Sequence, residues 1–188
     1  MLLVATVLLV GAIVGCRKGE ESKPVRPKPP AVTVDRENPE QTIFEQLRSG
    51  AFQIAGVGGT VEEALTKSRA LDVKGDPQLA AAMGEFLDAL DSVGATLAEH
   101  TTEPAEPAKS DPEFAKMDER RLSAISAAND ALHELEDASG ILDTLSQDPA
   151  LANRPEVAEI LGLLRLGMDD LQEAIRSLGG VVEQVAAS

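Results

Sequence analysis

The stretch PEVAEILGLLRLGMDDLQEAIRSLGGVVEQV, Pro155 to Val185, decides the fold. Its apolar residues Val157, Leu161, Leu164, Met168, Leu171, Ile175, Leu178, Val182 and Val185 alternate steps of four and three. That rhythm keeps one side of an α-helix apolar along its length, because the helix turns once in about 3.6 residues. Ile160 and Val181 widen the stripe on one side, as a bundle requires and a two-stranded coil does not. Pro155 suits a first-turn position, where its missing N–H is no loss, and Asn153 is a candidate N-cap. Gly179 and Gly180 are expected to loosen the last turns.

The same punctuation recurs upstream. Asp76-Pro77 precedes Leu79, Met83, Phe86, Leu90, Val93 and Leu97, again in steps of four and three. Asp111-Pro112-Glu113 precedes Phe114, Met117, Leu122, Ile125, Ala128, Leu132, Leu135 and Leu142. In both, aspartate is expected to cap the open backbone amides ahead of a first-turn proline. TTEPAEPAKS between these helices reads as a loop, and SQDPALANR as a turn with at most a short helical piece. Ile43, Phe44, Leu47, Ala51 and Ile54 predict a first helix from about Pro39, with Ser49-Gly50 obscuring its end. Thr60-Val-Glu-Glu63 has the form of a capping box and predicts a separate short helix ending near Leu71. The expected fold is all-α: an antiparallel bundle of about four long helices plus one short one, joined by short loops. Four phenylalanines and no Trp or Tyr leave the core to Leu, Ile, Val, Met and Ala.

Ahead of the bundle the composition changes twice. MLLVATVLLVGAIVG, residues 1–15, is unbroken and apolar but too short to cross a bilayer core of about 30 Å comfortably. It has the length of a signal-peptide apolar region, although no Lys or Arg precedes that region. Ile13-Val14-Gly15 leads into Cys16, the only cysteine in the chain, so no intramolecular disulfide can form. These four positions resemble the lipobox of bacterial lipoproteins. The resemblance implies a diacylglyceryl group on the Cys16 thiol and cleavage between Gly15 and Cys16. It covers residues 1–16 alone. The competing reading is an uncleaved apolar anchor with an incidental cysteine.

Residues 16–37 read as a flexible tether. Pro24, Pro27, Pro29 and Pro30 favour polyproline II and exclude a helix. A PxxP ligand reading of Pro24–Pro27 and Pro27–Pro30 competes with the spacer. From Arg17 to Ala31 five basic residues face Glu20 and Glu21, a net +3, so a chain of −15 with an uncharged leader leaves −18 for the rest. A basic stem thus carries an acidic body, residues 38–188. The stem should be drawn to anionic headgroups and the body repelled from them.

Candidate chemistry in the body is sparse. His100 extends the seam of its helix at the helix end, where it can meet the last carbonyls. His133 shares a helix face with Asp130. A di-iron bundle needs Glu-x-x-His on two helices, but Leu97 and Asp130 stand where the glutamates would be. Neither a metal nor any other cofactor is expected. GVGGT, Gly56–Thr60, faces an expected helix start, where amides could hold an anion. Its spacing fits neither phosphate-binding fingerprint, and it reads better as a connector. An acidic body without Trp or Tyr argues against nucleic acid.

Two function classes follow. One is a non-catalytic, lipid-anchored bacterial envelope protein, held to a membrane through Cys16, whose bundle is a spacer, scaffold or module for an envelope protein partner. The other is a bundle carrying a small apolar or cationic ligand, in a cavity among Ala82, Gly84, Gly94, Gly162 and Gly167. A filled core favours the first; an internal apolar pocket with one converging charge favours the second.

Overall fold

In the computed structural model the described residues are 28–30, 32, 38–71, 73 and 76–183. The lipobox-like residues Gly15 and Cys16, most of the tether and Val185 lie outside them. Four α-helices make up the body: α1 Pro39–Arg69, α2 Pro77–Ala98, α3 Asp111–Leu145 and α4 Pro155–Ser177. The expected all-helical bundle is the fold the chain adopts. Neighbours in sequence are neighbours in space, α4 closes the ring against α1, and α3 also reaches α1 across one diagonal. Across the other diagonal α2 and α4 do not meet.

The α1–α4 pair is antiparallel. Lys67 near the end of α1 reaches Glu159 near the start of α4 at 2.9 Å. At the opposite pole Gly50 lies against Leu178, and Arg48 pairs with Glu103 of the α2–α3 loop at 3.5 Å. This pole therefore gathers the start of α1, the end of α4 and the α2–α3 loop. The other pole holds the α1–α2 and α3–α4 turns, and α1 alone, with 31 residues, spans about 46 Å.

The six positions Leu79, Met83, Phe86, Leu90, Val93 and Leu97 are the buried face of α2 as the spacing predicts. Asp76 caps this helix by accepting from the Gln78 and Leu79 amides at 2.8 and 3.3 Å. The other two expected caps move by one residue. Ser110 and Arg154 precede α3 and α4, neither making a side-chain cap bond, so Asp111 is already helical and Asn153 lies one residue too early.

Three expectations are corrected. The short helix is not separate: α1 runs unbroken through Gly50, Gly56, Gly58 and Gly59 to Arg69. Its buried stripe, Leu47, Ala51, Ile54, Val57, Val61, Ala64, Leu65 and Ser68, never loses phase across the glycines. Burial of that stripe outweighs the poor helix propensity of glycine. Thr60 is accordingly no N-cap; its hydroxyl donates back to the Gly56 carbonyl at 3.1 Å.

Leu122 is not core but 53 % exposed. It stands five residues after Met117, and Arg121 occupies the seam position instead. The Arg121 guanidinium pairs with Asp118 at 2.7 Å and donates to the Leu178 carbonyl at 2.8 Å, satisfying the end of α4.

Nor does α4 continue to Val182. Gly179 takes φ +77°, and the Gly180 and Gly179 amides donate to the Ile175 and Arg176 carbonyls at 2.8 and 2.9 Å. This is the pairing of a Schellman stop. The chain then turns along α3. There the side chain of buried Asn129 donates to the Val181 carbonyl at 3.4 Å and accepts from the Glu183 amide at 3.0 Å.

Candidate functional site: a glycine-floored cleft between α1 and α4

Beside its apolar stripe α1 carries a second, polar one. Ser49, Gln53, Gly56, Thr60 and Glu63 repeat in steps of four and three and lie toward α4. Ser49, Gln53 and Thr60 are buried there. Between this stripe and α4 lies a cleft of about 840 Å³, open to solvent along one side. Phe52, Gln53, Gly56 and Gly59 form its α1 wall, and Glu63 adds a carboxylate. Asp170 and Glu173 bring two more from α4. Lys28 and Pro29, from the sequence's proline-rich stretch, complete the lining. A smaller cavity of about 440 Å³ adjoins it, bounded by Pro29, Pro30, Val32, Gln46, Gln53 and Arg176 among others.

The floor is bare backbone. A Cβ placed on Gly56 or Gly59 would meet no heavy atom within 4 Å. Their amides lie within α1, where helical bonding occupies them, so the anion reading of GVGGT loses its donors. Gln53 is 9 % exposed, and its Oε1 has no hydrogen-bond partner. An unsatisfied buried acceptor costs about 1–3 kcal/mol, so this oxygen favours any donor brought into the cleft. Near the far pole Lys67 bonds Glu159, with Glu63 also in reach at 3.9 Å. The Glu159 hydrogen bond, then its charge, raises the Lys67 ammonium above the ordinary lysine range, so it stays charged at neutral pH.

Gly58, in the same run but not part of the cleft wall, makes a prediction. Gly58→Ala should stabilise the protein by about 0.8–1 kcal/mol, the helix-propensity difference, since the added methyl meets nothing. Urea unfolding midpoints would show it; a loss of stability would mean that α1 is not helical through its glycines.

The residues singled out for chemistry do not come together. His100 lies in the turn after α2, where burial first, and Arg120 in addition, hold its imidazole below the usual range, with Glu99 opposing. His133 on α3 has Nδ1 3.7 Å from Glu136, too long for a hydrogen bond, while Asp130 points outward as an exposed residue. Among the described residues no three His, Cys, Asp or Glu side chains are grouped as a metal ion would need.

The cavity expected among small residues is also displaced. A Cβ on half-buried Gly84 or Gly94, or on exposed Gly162, would meet nothing within 4 Å. Gly167 is buried, and a Cβ there would lie 3.2 Å from Leu135 Cδ1, so it serves close packing. Sequence reasoning missed Gln53 and the polar stripe, though the heptad rhythm of 49, 53, 56, 60 and 63 was a usable signal.

Among the described residues no helix is long and apolar enough to cross a membrane. Compared with protein-family models, curated proteins and solved structures, the chain matches none.

Proposed function

We propose that the protein is a lipid-anchored component of a bacterial envelope, attached through Cys16, whose bundle is a non-catalytic scaffold or interaction module for another envelope protein. The lipobox-like Ile13-Val14-Gly15-Cys16 supports the anchor. The observation that carries the module reading is the continuous apolar core, from Leu47 of α1 to Leu178 after α4. With its interior given to packing, the bundle has its outer faces left for work. The second reading, a carrier of a small cationic or apolar ligand, is favoured by one observation. The α1/α4 cleft combines Phe52 and bare glycines with the carboxylates of Glu63, Asp170 and Glu173.

The anchor is tested by Cys16→Ser. The unaltered protein should partition with detergent, and the mass of its mature N-terminus should begin at a lipidated Cys16. The variant should stay unprocessed or leave the membrane. Equal membrane retention of both proteins, each with residues 1–15 still attached, would establish the uncleaved apolar anchor instead.

A further inference from the structure

We propose that the basic, proline-rich segment Lys23–Pro30 docks in cis in the α1/α4 cleft, making the stem a strap on the body rather than a free spacer. Its described end is already there. Lys28 and Pro29 line the larger cavity, Pro29, Pro30 and Val32 line the smaller one, and these last three are half-buried. The residues immediately before Lys28 are thus delivered to the cleft by chain connectivity. Such an intramolecular contact forms at high effective concentration even when the interaction is weak.

The cleft suits this occupant in shape and charge. Gly56 and Gly59 leave a floor without side chains, on which an extended backbone can lie close. Phe52 beside them offers the ring surface against which prolines commonly pack. Lys23–Pro30 carries three cations, Lys23, Arg26 and Lys28, and no acid, whereas the rim carries Glu63, Asp170 and Glu173. A polyproline II segment repeats every three residues, about 9 Å, so Lys23, Arg26 and Pro29 share one edge. Pro29 lines the cleft, and that edge brings the two cations toward the carboxylates. The amides of Val25 and Arg26 are donors of the kind that the buried Gln53 Oε1 lacks. Docking needs no lipid and stands apart from the anchor reading. For an anchored chain it shortens the free tether from a reach of about 70 Å to about 20 Å.

The test uses the full chain in detergent, with Cys16→Ser and spin labels on Ser22→Cys and Thr66→Cys. A single narrow distance is expected. Asp170→Lys with Glu173→Lys should turn it into a broad distribution reaching roughly 25 Å further, the span of the eight released residues. Adding Lys23→Glu, Arg26→Glu and Lys28→Glu should restore the narrow distance by reversing both sides. Gly56→Leu, which fills the floor, should broaden it while leaving the helical circular dichroism unchanged. A broad distribution in the chain with native rim and stem overturns the proposal, as does a narrow one indifferent to all these changes. A narrow distance between singly labelled molecules would place a second copy in the cleft and equally overturn it.

Discussion

Phe86→Ala should destabilise the protein by about 3–5 kcal/mol, the cost of emptying a buried aromatic site. Of the four phenylalanines only Phe86 is buried, at 0 % exposure in the middle of the α2 seam. The neighbouring core is built from aliphatic side chains, which can only partly collapse into the space of a lost ring. Since small proteins hold together by about 5–15 kcal/mol, this change should remove a large part of the total. The melting temperature should fall by roughly 10–15 °C. Leu122→Ala, at a position 53 % exposed, is the control and should stay within about 0.5 kcal/mol of the parent. Comparable losses at the two sites in urea unfolding would mean that the buried face of α2 or α3 has been misassigned.

Gly50→Val should cost about 2–3 kcal/mol, in contrast to the gain expected at Gly58 on the same helix. A Cβ on Gly50 would lie 2.5 Å from Leu178 Cγ, inside the closest approach that carbon atoms tolerate. Leu178 has little room to retreat. Its side chain is fully buried, and Arg121 holds its carbonyl at 2.8 Å. The strain is specific to that pair, so Gly50→Val combined with Leu178→Ala should be less unstable than the two single losses added together. The coupling should fall in the range of about 0.5–3 kcal/mol found for touching residues. Strict additivity would show that the contact between α1 and the end of α4 is not the source of the loss.

The sequence made the helices legible wherever the apolar rhythm ran without competition. In α2 every seam position predicted from spacing is buried, because no other signal interrupts Leu79 to Leu97. In α1 local propensity was weighed too heavily. Glycine at 50, 56, 58 and 59 looked like a break, yet the buried stripe keeps phase through all four, and tertiary burial decides. In α3 the apolar pattern put Leu122 in the seam, and nothing local says that an arginine at 121 would turn inward to finish another helix. The end of α4 shows the reverse case. Gly179 was visible as a weak point, but its positive φ stops the helix outright. The cleft was the least legible part. It depends on Gln53 being buried without a partner and on outward-open glycines in α1, and both are consequences of how α1 lies on α4.

The gathering of the start of α1 and the end of α4 at one pole gives the bundle a directional mechanical character. A force pulling the two chain ends apart first loads the Val181 and Glu183 bonds to Asn129, and past them it works on Gly50 and Leu178 and peels α1 from α4 one turn at a time. A force between the stem and a grip on the turns of the opposite pole instead drags α1 along its axis. The whole buried stripe from Leu47 to Ser68 then bears the load at once, together with the Lys67–Glu159 bridge. The same helix pair is therefore a zipper to one pull and a lap joint to the other. In the anchored protein proposed above, tension between the stem and a partner gripping the far turns would meet the stronger of the two.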